Sequence, residues 1–429
     1  MKIAIWHNLP SGGGKRALFD HVKGLVRKGH HVEAWSPQTA DSSYLPLRDL
    51  IEEHVVPLEM EAFKERPKPA LTATRAIQAQ LKAMDEHCRK CAEEMRQGQF
   101  DILFANACLL FQMPFIARHI SIPKALYLQE PYRDLYEAGP TLVWSALPNS
   151  GGKRHPLSRI KRLAEDVIRT QARRIQVREE RANAAFFDTI LVNSLFSRES
   201  VARAYGLESA VCYLGIDTEL FHPTGEPREQ YVIGLGGLHY NKGVDRAIRG
   251  LAEIPREERP KLIWIGNFSD IGAERSIRSL AETLRVDWEL KVRIDDTELV
   301  SLLSRAALMI YTSRLEPFGF APLEASACGT PVVAIAEGGV RETVFHGKNG
   351  LLVLSANPRE LAFAMQRVLD EPALARQMAE EGPRYVQSEW NLDDAIKRLE
   401  TKLFELLGEG PRPRHVDEDK LVSSASVTT

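Results

Sequence analysis

Short apolar runs alternate with helical patterns along almost the whole chain, and this alternation limits the possible folds more than any other feature. The first series opens with IAIW (3–6), a glycine-rich turn SGGG (11–14), a helical pattern over 15–28 and a second strand, HHVEAWS (30–36). Strand, turn, helix and strand in that order begin a doubly wound parallel sheet. The sheet resumes at DILFA (101–105), KALYLQ (124–129), TILVNS (189–194) and AVCYLG (210–215). A polar segment with two prolines, HPTGEPREQ (222–230), reads as a linker. A second series follows: YVIGLGG (231–237), KLIWIG (261–266), ELKVRI (289–294), LMIYTS (308–313), PVVAIA (331–336) and GLLVL (350–354), with helical patterns such as 296–306 and 357–370 between them. Five or more such units require a second parallel sheet covered on both faces, with right-handed crossovers. The expectation is an α/β chain of two doubly wound parallel-sheet domains facing a cleft, one over 1–222 and one over 229–388. A helix over 389–408 is expected to pack back on the first domain, and the polar stretch 409–429 to be a disordered tail.

A chain of 429 residues is long enough for two such cores. Its 56 basic and 58 acidic residues leave a net charge of −2, so no global field attracts nucleic acid. The five cysteines are odd in number and irregular in spacing, which argues against a secreted disulfide framework. Cys88 and Cys91 form a single C-x-x-C inside a helical pattern (70–97). Without further ligands they read as two reduced helix cysteines. MKIAIWHNLP is too short for a signal peptide. The most apolar region, 100–120, is interrupted by Asp101, Asn106, Gln112 and Pro114, so it does not span a membrane. The expected location is cytoplasmic. The helical pattern over 157–185 lies in a basic stretch: residues 151–185 hold ten Lys/Arg against four acids. Ile160, Leu163, Val167, Ile168, Ile175 and Val177 give it an apolar stripe. Two readings stand: a solvated helix on its own domain, or a surface for an anionic acceptor or peripheral membrane contact.

In open parallel sheets, ligands bind at the carboxyl ends of the strands, so the chemistry should follow strands. After LMIYTS comes SRLEPFGFAPLEASACGTPVV (313–333), in which Glu316 and Glu324 are separated by seven residues. Pro317 and Gly319 punctuate a loop, and a helix is expected from near Gly319 to Gly329, with Glu324 about two turns into it. The first turn of that helix offers unpaired N–H groups and the positive dipole end, an anion site. Carboxylates beside an anion site suit a ligand that also carries hydroxyls, as a sugar phosphate does. The first strand of the same half ends in GLGGLHYNKG (234–243), where Gly236 and Gly237 permit close backbone approach and Lys242 is a point cation suited to a diphosphate.

These segments, together with GGVRE (338–342) and LGIDTELFHP (214–223), resemble the retaining nucleotide-sugar glycosyltransferases of the GT-B fold, glycosyltransferase family 4 or group 1. The resemblance runs from about residue 2 to about 405 and is densest in the second half. It implies two Rossmann-like domains and a transferase acting in polysaccharide, lipid-linked glycan or glycolipid synthesis. It implies that Glu316 bonds the donor sugar hydroxyls, Glu324 the ribose hydroxyls, and that Lys242 neutralises the diphosphate. The amides of Phe318, Gly319 and Phe320 would contact sugar and phosphate, Gly12, Gly13 and Gly14 would approach donor phosphates or acceptor, and the base would lie near Arg293 and Ile294.

Two positions depart from the family. An arginine usually stands five residues before the lysine, and here that residue is Gly237; Lys15, Arg16 and Arg314 are the available replacements. Many members also place a histidine after the fourth strand, where this chain has Gln129 beside Glu130 and Arg133. Glu130 and Arg133 would then orient the acceptor. No His/Cys/Asp/Glu set has metal-ligand spacing, so a metal-independent, cofactor-free reaction is expected. The partners implied are a nucleotide-sugar donor and a glycan or lipid-linked acceptor, without nucleic acid. A catalytically weak or inactive glycosyltransferase-like, nucleotide-binding scaffold subunit is the alternative that Gly237 and Gln129 leave open. A glycoside hydrolase would use paired carboxylates but gives Lys242 no task. A dehydrogenase would need a G-x-G-x-x-G that SGGGKR lacks.

Overall fold

The computed structural model describes residues 1–63, 73–136, 156–267 and 271–409. Within them lie two parallel sheets. The first contains β1 (Lys2–Asn8), β2 (His31–Ser36), β3 (Glu52–Val55), β4 (Ile102–Cys108), β5 (Lys124–Tyr127), β6 (Thr189–Val192) and β7 (Ala210–Val211), in the order β3-β2-β1-β4-β5-β6-β7. The second contains β8 (Tyr231–Leu235), β9 (Lys261–Gly266), β10 (Trp288–Val292), β11 (Leu308–Tyr311), β12 (Val332–Ile335) and β13 (Gly350–Val353), in the order β10-β9-β8-β11-β12-β13. In both, the strand order reverses beside the first strand, the doubly wound pattern that opens a crevice at the reversal. By compactness the chain divides into one unit of Met1–Pro10, Leu25–Leu191 and the chain from Glu400, and a second of Ser11–Gly24 and Val192–Leu399.

The central strands are apolar throughout rather than alternating because helices cover both faces. Ile3, Ala4, Ile5 and Trp6 of β1 are fully buried. In the second sheet Val232, Trp264, Leu308, Ile310, Val333 and Ile335 form the core with Ile248, Leu251, Leu361 and Met365 from two helices. Gly234 in β8 permits this packing: a Cβ there would lie 2.4 Å from the Trp264 ring of β9. The indole Nε1 then reaches the Gly236 carbonyl at 2.6 Å.

Several expected elements change in extent. Gly13 and Gly14 are not turn residues but open the helix Gly13–Arg27, leaving Gly12 at φ +139° as the bend. The strand expected over 289–294 stops at Val292, because Arg293 takes φ +56°. The strand expected over 210–215 is only two residues long. Sequence reading did not anticipate β3, EEHV, which has no apolar run and forms as an edge strand on β2. The helix after β11 is Phe320–Ala327, so Glu324 is its fifth residue, just past the first turn. The stretch 222–230 is exposed throughout. The long helices are Ala73–Gln97 and Pro156–Ala184. Cys88 and Cys91 are buried in the former, and all five cysteines are free thiols. Of the basic helix's stripe, Ile175 is buried and Val167 is exposed, while the surroundings of Ile160 and Leu163, like residues 410–429 of the expected tail, lie outside the described residues. No described helix is long and apolar enough to cross a membrane.

Candidate functional site

The carboxyl ends of β8 and β11 lie side by side where the second sheet reverses order. The chain leaves β8 through Gly236, at φ +143°, and returns through His239 to Lys242, whose backbone N–H donates to the His239 carbonyl at 2.9 Å. A Cβ at Gly236 would sit 3.0–3.3 Å from the Lys242 stem, so the glycine makes room for that side chain. The two loops are stitched together. Arg314 donates its backbone N–H to the Asn241 carbonyl at 2.8 Å, and Thr312 Oγ1 donates to the Gly243 carbonyl at 2.7 Å.

This brings Lys242 Nζ to 2.7 Å from Glu316 Oε2. Ser313 Oγ donates to the same oxygen at 2.6 Å. Beneath them, burial pushes the Tyr311 phenol well above its ordinary range, and the Glu316 charge pushes it further, so that hydroxyl stays neutral. The backbone of Glu316 is clamped from β12. Gly339 donates its N–H to the Glu316 carbonyl at 2.7 Å. A Cβ at Gly338 would lie 2.3 Å from that carbonyl, and one at Gly339 2.2 Å from the Pro317 carbonyl. On the other side Ser194 Oγ donates to the Pro317 carbonyl at 2.5 Å.

Phe318 is buried, its ring 5.3 Å from Phe320. Gly319, at φ +105°, caps Phe320–Ala327 without a side-chain bond, leaving first-turn N–H groups for an anion. Glu324 is 5% exposed. Burial raises its pKa, Arg16 counteracts this from 3.7 Å, and Asp296 adds to the rise. Arg16 also pairs with Asp296 at 2.5 Å. Gly12, Gly13 and Gly14 precede it, with Gly13 3.4 Å, measured from an added Cβ, from the Phe320 ring.

Of the residues expected at the site, Lys242 and Glu316 are in direct contact, with Gly236 packed on the Lys242 stem, and Phe318, Gly319, Phe320 and Glu324 follow in one loop and helix. Arg293 and Ile294 follow the edge strand β10, where Arg293 bonds the Asn267 carbonyl at 3.2 Å. Gln129, Glu130 and Arg133 follow β5 in the first unit, with Arg133 paired to Glu130. Of the cations offered in place of an arginine at Gly237, Arg314 pairs with Glu337 at 2.7 Å, Lys15 is fully buried and Arg16 is next to Glu324. Ser313, Gly338, Gly339, Ser194 and Asp296 were not singled out from sequence as site residues. The Gly-Gly directly after a strand in AIAEGGV was the available signal for two of them. A separate cavity of about 540 Å³ is lined by Tyr213, Glu342, Lys348, Tyr385, Trp390 and Arg398.

Residues 217–385 match the family Glycosyl transferases group 1. The chain is 31% identical over 217 residues to the glycogen synthase of Mycobacterium tuberculosis, covering 48% of this chain and 51% of that protein. It is 29% identical over 220 residues to D-inositol 3-phosphate glycosyltransferase 1 of Catenulispora acidiphila, covering 46% and 53%. It thus spans about half the length of the curated relatives it matches. Among solved structures, sucrose-phosphate synthase from Thermosynechococcus elongatus superposes with a TM-score of 0.69 at 18% identity, covering 96% of this chain and 100% of that one. HepE of Anabaena, solved in complex with UDP-glucose, superposes with a TM-score of 0.64 at 18% identity, covering 94% and 100%.

Proposed function

We propose that the chain, which has the GT-B fold and whose residues 217–385 match the group 1 glycosyl transferases, moves a sugar from a nucleoside diphosphate to a hydroxyl of a glycan or lipid-linked acceptor, with retention at the anomeric carbon. One observation carries this reading: Lys242 and Glu316 meet at 2.7 Å in the loops that follow the two strands flanking the sheet's reversal. Without donor, each neutralises the other. A bound diphosphate takes over Lys242, and Glu316 is released to accept hydrogen bonds from sugar hydroxyls.

The reaction breaks the bond from the anomeric carbon to the diphosphate oxygen and forms one from that carbon to the acceptor oxygen. The acceptor's proton passes to the departing phosphate oxygen on the same face. In the transition state the sugar ring gains positive charge and the diphosphate negative charge. Lys242 and the amide end of Phe320–Ala327 meet the negative charge, an arrangement worth several kcal/mol, of order 3 per donor, in a water-poor site. Glu316 fixes the sugar, and Glu324, whose buried carboxyl is set by Arg16, takes the ribose hydroxyls. This scheme supplies the diphosphate's counter-charge without a metal, so a chelator leaves turnover unchanged. In the same reading the exposed Arg169, Arg173 and Arg174 of Pro156–Ala184 face an anionic acceptor or lipid surface. Reversing Arg173 and Arg174 to Glu then abolishes co-sedimentation with anionic vesicles.

HepE was solved with UDP-glucose, so a thermal-shift screen starts there and extends to GDP- and ADP-sugars. With the donor in hand, Glu316→Gln is expected to reduce transfer about 100-fold or more, roughly 2.7 kcal/mol, with nucleotide affinity nearly unchanged. Glu324→Ala is expected to weaken nucleotide binding about tenfold or more. Equal losses of binding in both variants would contradict the division of roles, and a product of inverted anomeric configuration would contradict retention.

A further inference from the structure

On the edge of the first sheet, strands β2 and β3 place two carboxylates directly opposite each other: Glu33 and Glu52 are register partners. Like charges facing across a strand pair are destabilising unless something neutralises them. The next pair along the same face is Trp35 and His54. The His54 ring stacks on the Trp35 indole at 4.4 Å and 18°, and that indole is held by its Nε1 bond to Glu94 at 3.0 Å. The stack fixes the imidazole, with Nε2 3.0 Å from Glu33 Oε2 and 3.8 Å from Glu52 Oε1. One ligand atom from each of Glu33, Glu52 and His54 lies within 4.8 Å of the others.

The geometry points to a binding site for one divalent transition-metal ion of the zinc and nickel class at Glu33, Glu52 and His54. Ligands held about 2.0–2.1 Å from a tetrahedral ion stand about 3.3 Å apart, and the observed 3.0 and 3.8 Å bracket that spacing. Two carboxylates and a neutral imidazole balance the charge of a dication, and an imidazole–carboxylate set suits zinc or nickel rather than calcium. The fourth position is left to water. His31 positions the site rather than ligating: its Nε2 lies 2.7 Å from Glu33 Oε1, the carboxylate's other oxygen. Lys2 Nζ, 3.9 Å from that same oxygen, is the competing cation. The thiols do not compete, because all five cysteines are buried.

Zinc chloride titrated calorimetrically into the metal-free full chain is expected to give one saturable site, with nickel binding in its place. Glu52 is 71% exposed, so Glu52→Gln leaves the fold intact; it is expected to weaken binding about tenfold or more, as are Glu33→Gln and His54→Gln. Glu405→Gln, remote from the cluster in sequence, is expected to bind like wild type. X-ray absorption of the loaded protein should show nitrogen and oxygen neighbours only. Absence of saturable binding, binding unaffected by Glu52→Gln, or sulfur in the metal's coordination would each overturn the proposal.

Discussion

Glu316 is held in place before any ligand arrives: Lys242 and Ser313 hold its carboxylate, and Gly338 and Gly339 abut its backbone. Gly339 has an ordinary helical backbone, φ −69°, so a substitution there meets steric resistance alone. Gly339→Ala would press a methyl group into the Pro317 carbonyl, with an overpacking cost of about 1–3 kcal/mol. Calorimetric melting should show that loss, and donor turnover should fall with it as Glu316 shifts; wild-type values for both would show that the clamp is slack. Two buried titrating groups on one helix set an opposed pH dependence. Burial raises Asp20 from 3.8 to about 7, against the pull of Arg16 and Lys23. Between about pH 4 and 7 the folded chain keeps a proton that the unfolded chain has lost, so stability declines as pH rises through that window. Burial lowers His21 from 6.5 to about 3, so its contribution declines instead as pH falls from 6.5. Asp20→Asn should therefore raise stability at pH 8, by an amount on the order of a few kcal/mol read as a higher melting temperature, and leave it little changed at pH 3.5. A pH-independent effect would contradict this assignment.

At the scale of elements, the helix Leu195–Tyr205 is tied at its amino end to the loop that carries Glu316 and Pro317. Ser194 accepts from the Ser197 N–H at 2.9 Å and donates to the Pro317 carbonyl. Glu342 accepts from the Leu195 and Phe196 N–H groups at 2.9 and 3.0 Å and from the Tyr213 hydroxyl at 2.8 Å. The family-like GGVRE segment thus has two tasks: its glycines back Glu316, and its carboxylate caps a helix. Ser194→Ala should cost about 1 kcal/mol from the cap alone, and the loss of the Pro317 contact should lower turnover as well. A variant with reduced melting temperature but full activity would separate the two tasks. The strands were legible wherever both faces are buried, as in β1 and β11. The edge strand β3 was not, because only its pairing with β2 makes it a strand.

For the molecule as a whole, the second unit depends on chain far from its sheet. Ile216 N–H donates to the Trp390 carbonyl at 2.7 Å, and Leu392 N–H to the Ile216 carbonyl at 2.9 Å. Gly215 packs so closely on Asn391 that a Cβ would lie 2.5 Å from its carbonyl oxygen. Trp390, 7% exposed, sets its ring 5.3 Å from Tyr213 and 5.5 Å from Phe318, two residues after Glu316. A chain ending at Glu389 should lose this bridge and its buried indole, about 3–5 kcal/mol for the side chain alone. Limited proteolysis should then cut the second unit faster, and a fragment as resistant as the full chain would refute the dependence.

By itself, the amino-acid sequence determined the β/α alternation, the two-sheet class and the placing of Lys242, Glu316 and Glu324 after strands, because periodicity and turn chemistry act between near neighbours. Glu316 and Glu324 share one loop and helix, so their relation was also legible. That Lys242 meets Glu316 across 74 residues depends on β8 lying beside β11, and strand order follows from packing summed over the sheet. The same holds for Arg16 beside Glu324, Gly339 against Pro317, and Glu33 opposite Glu52. Each is a contact between segments distant in sequence, and only the tertiary structure chose among the pairings that local pattern allows.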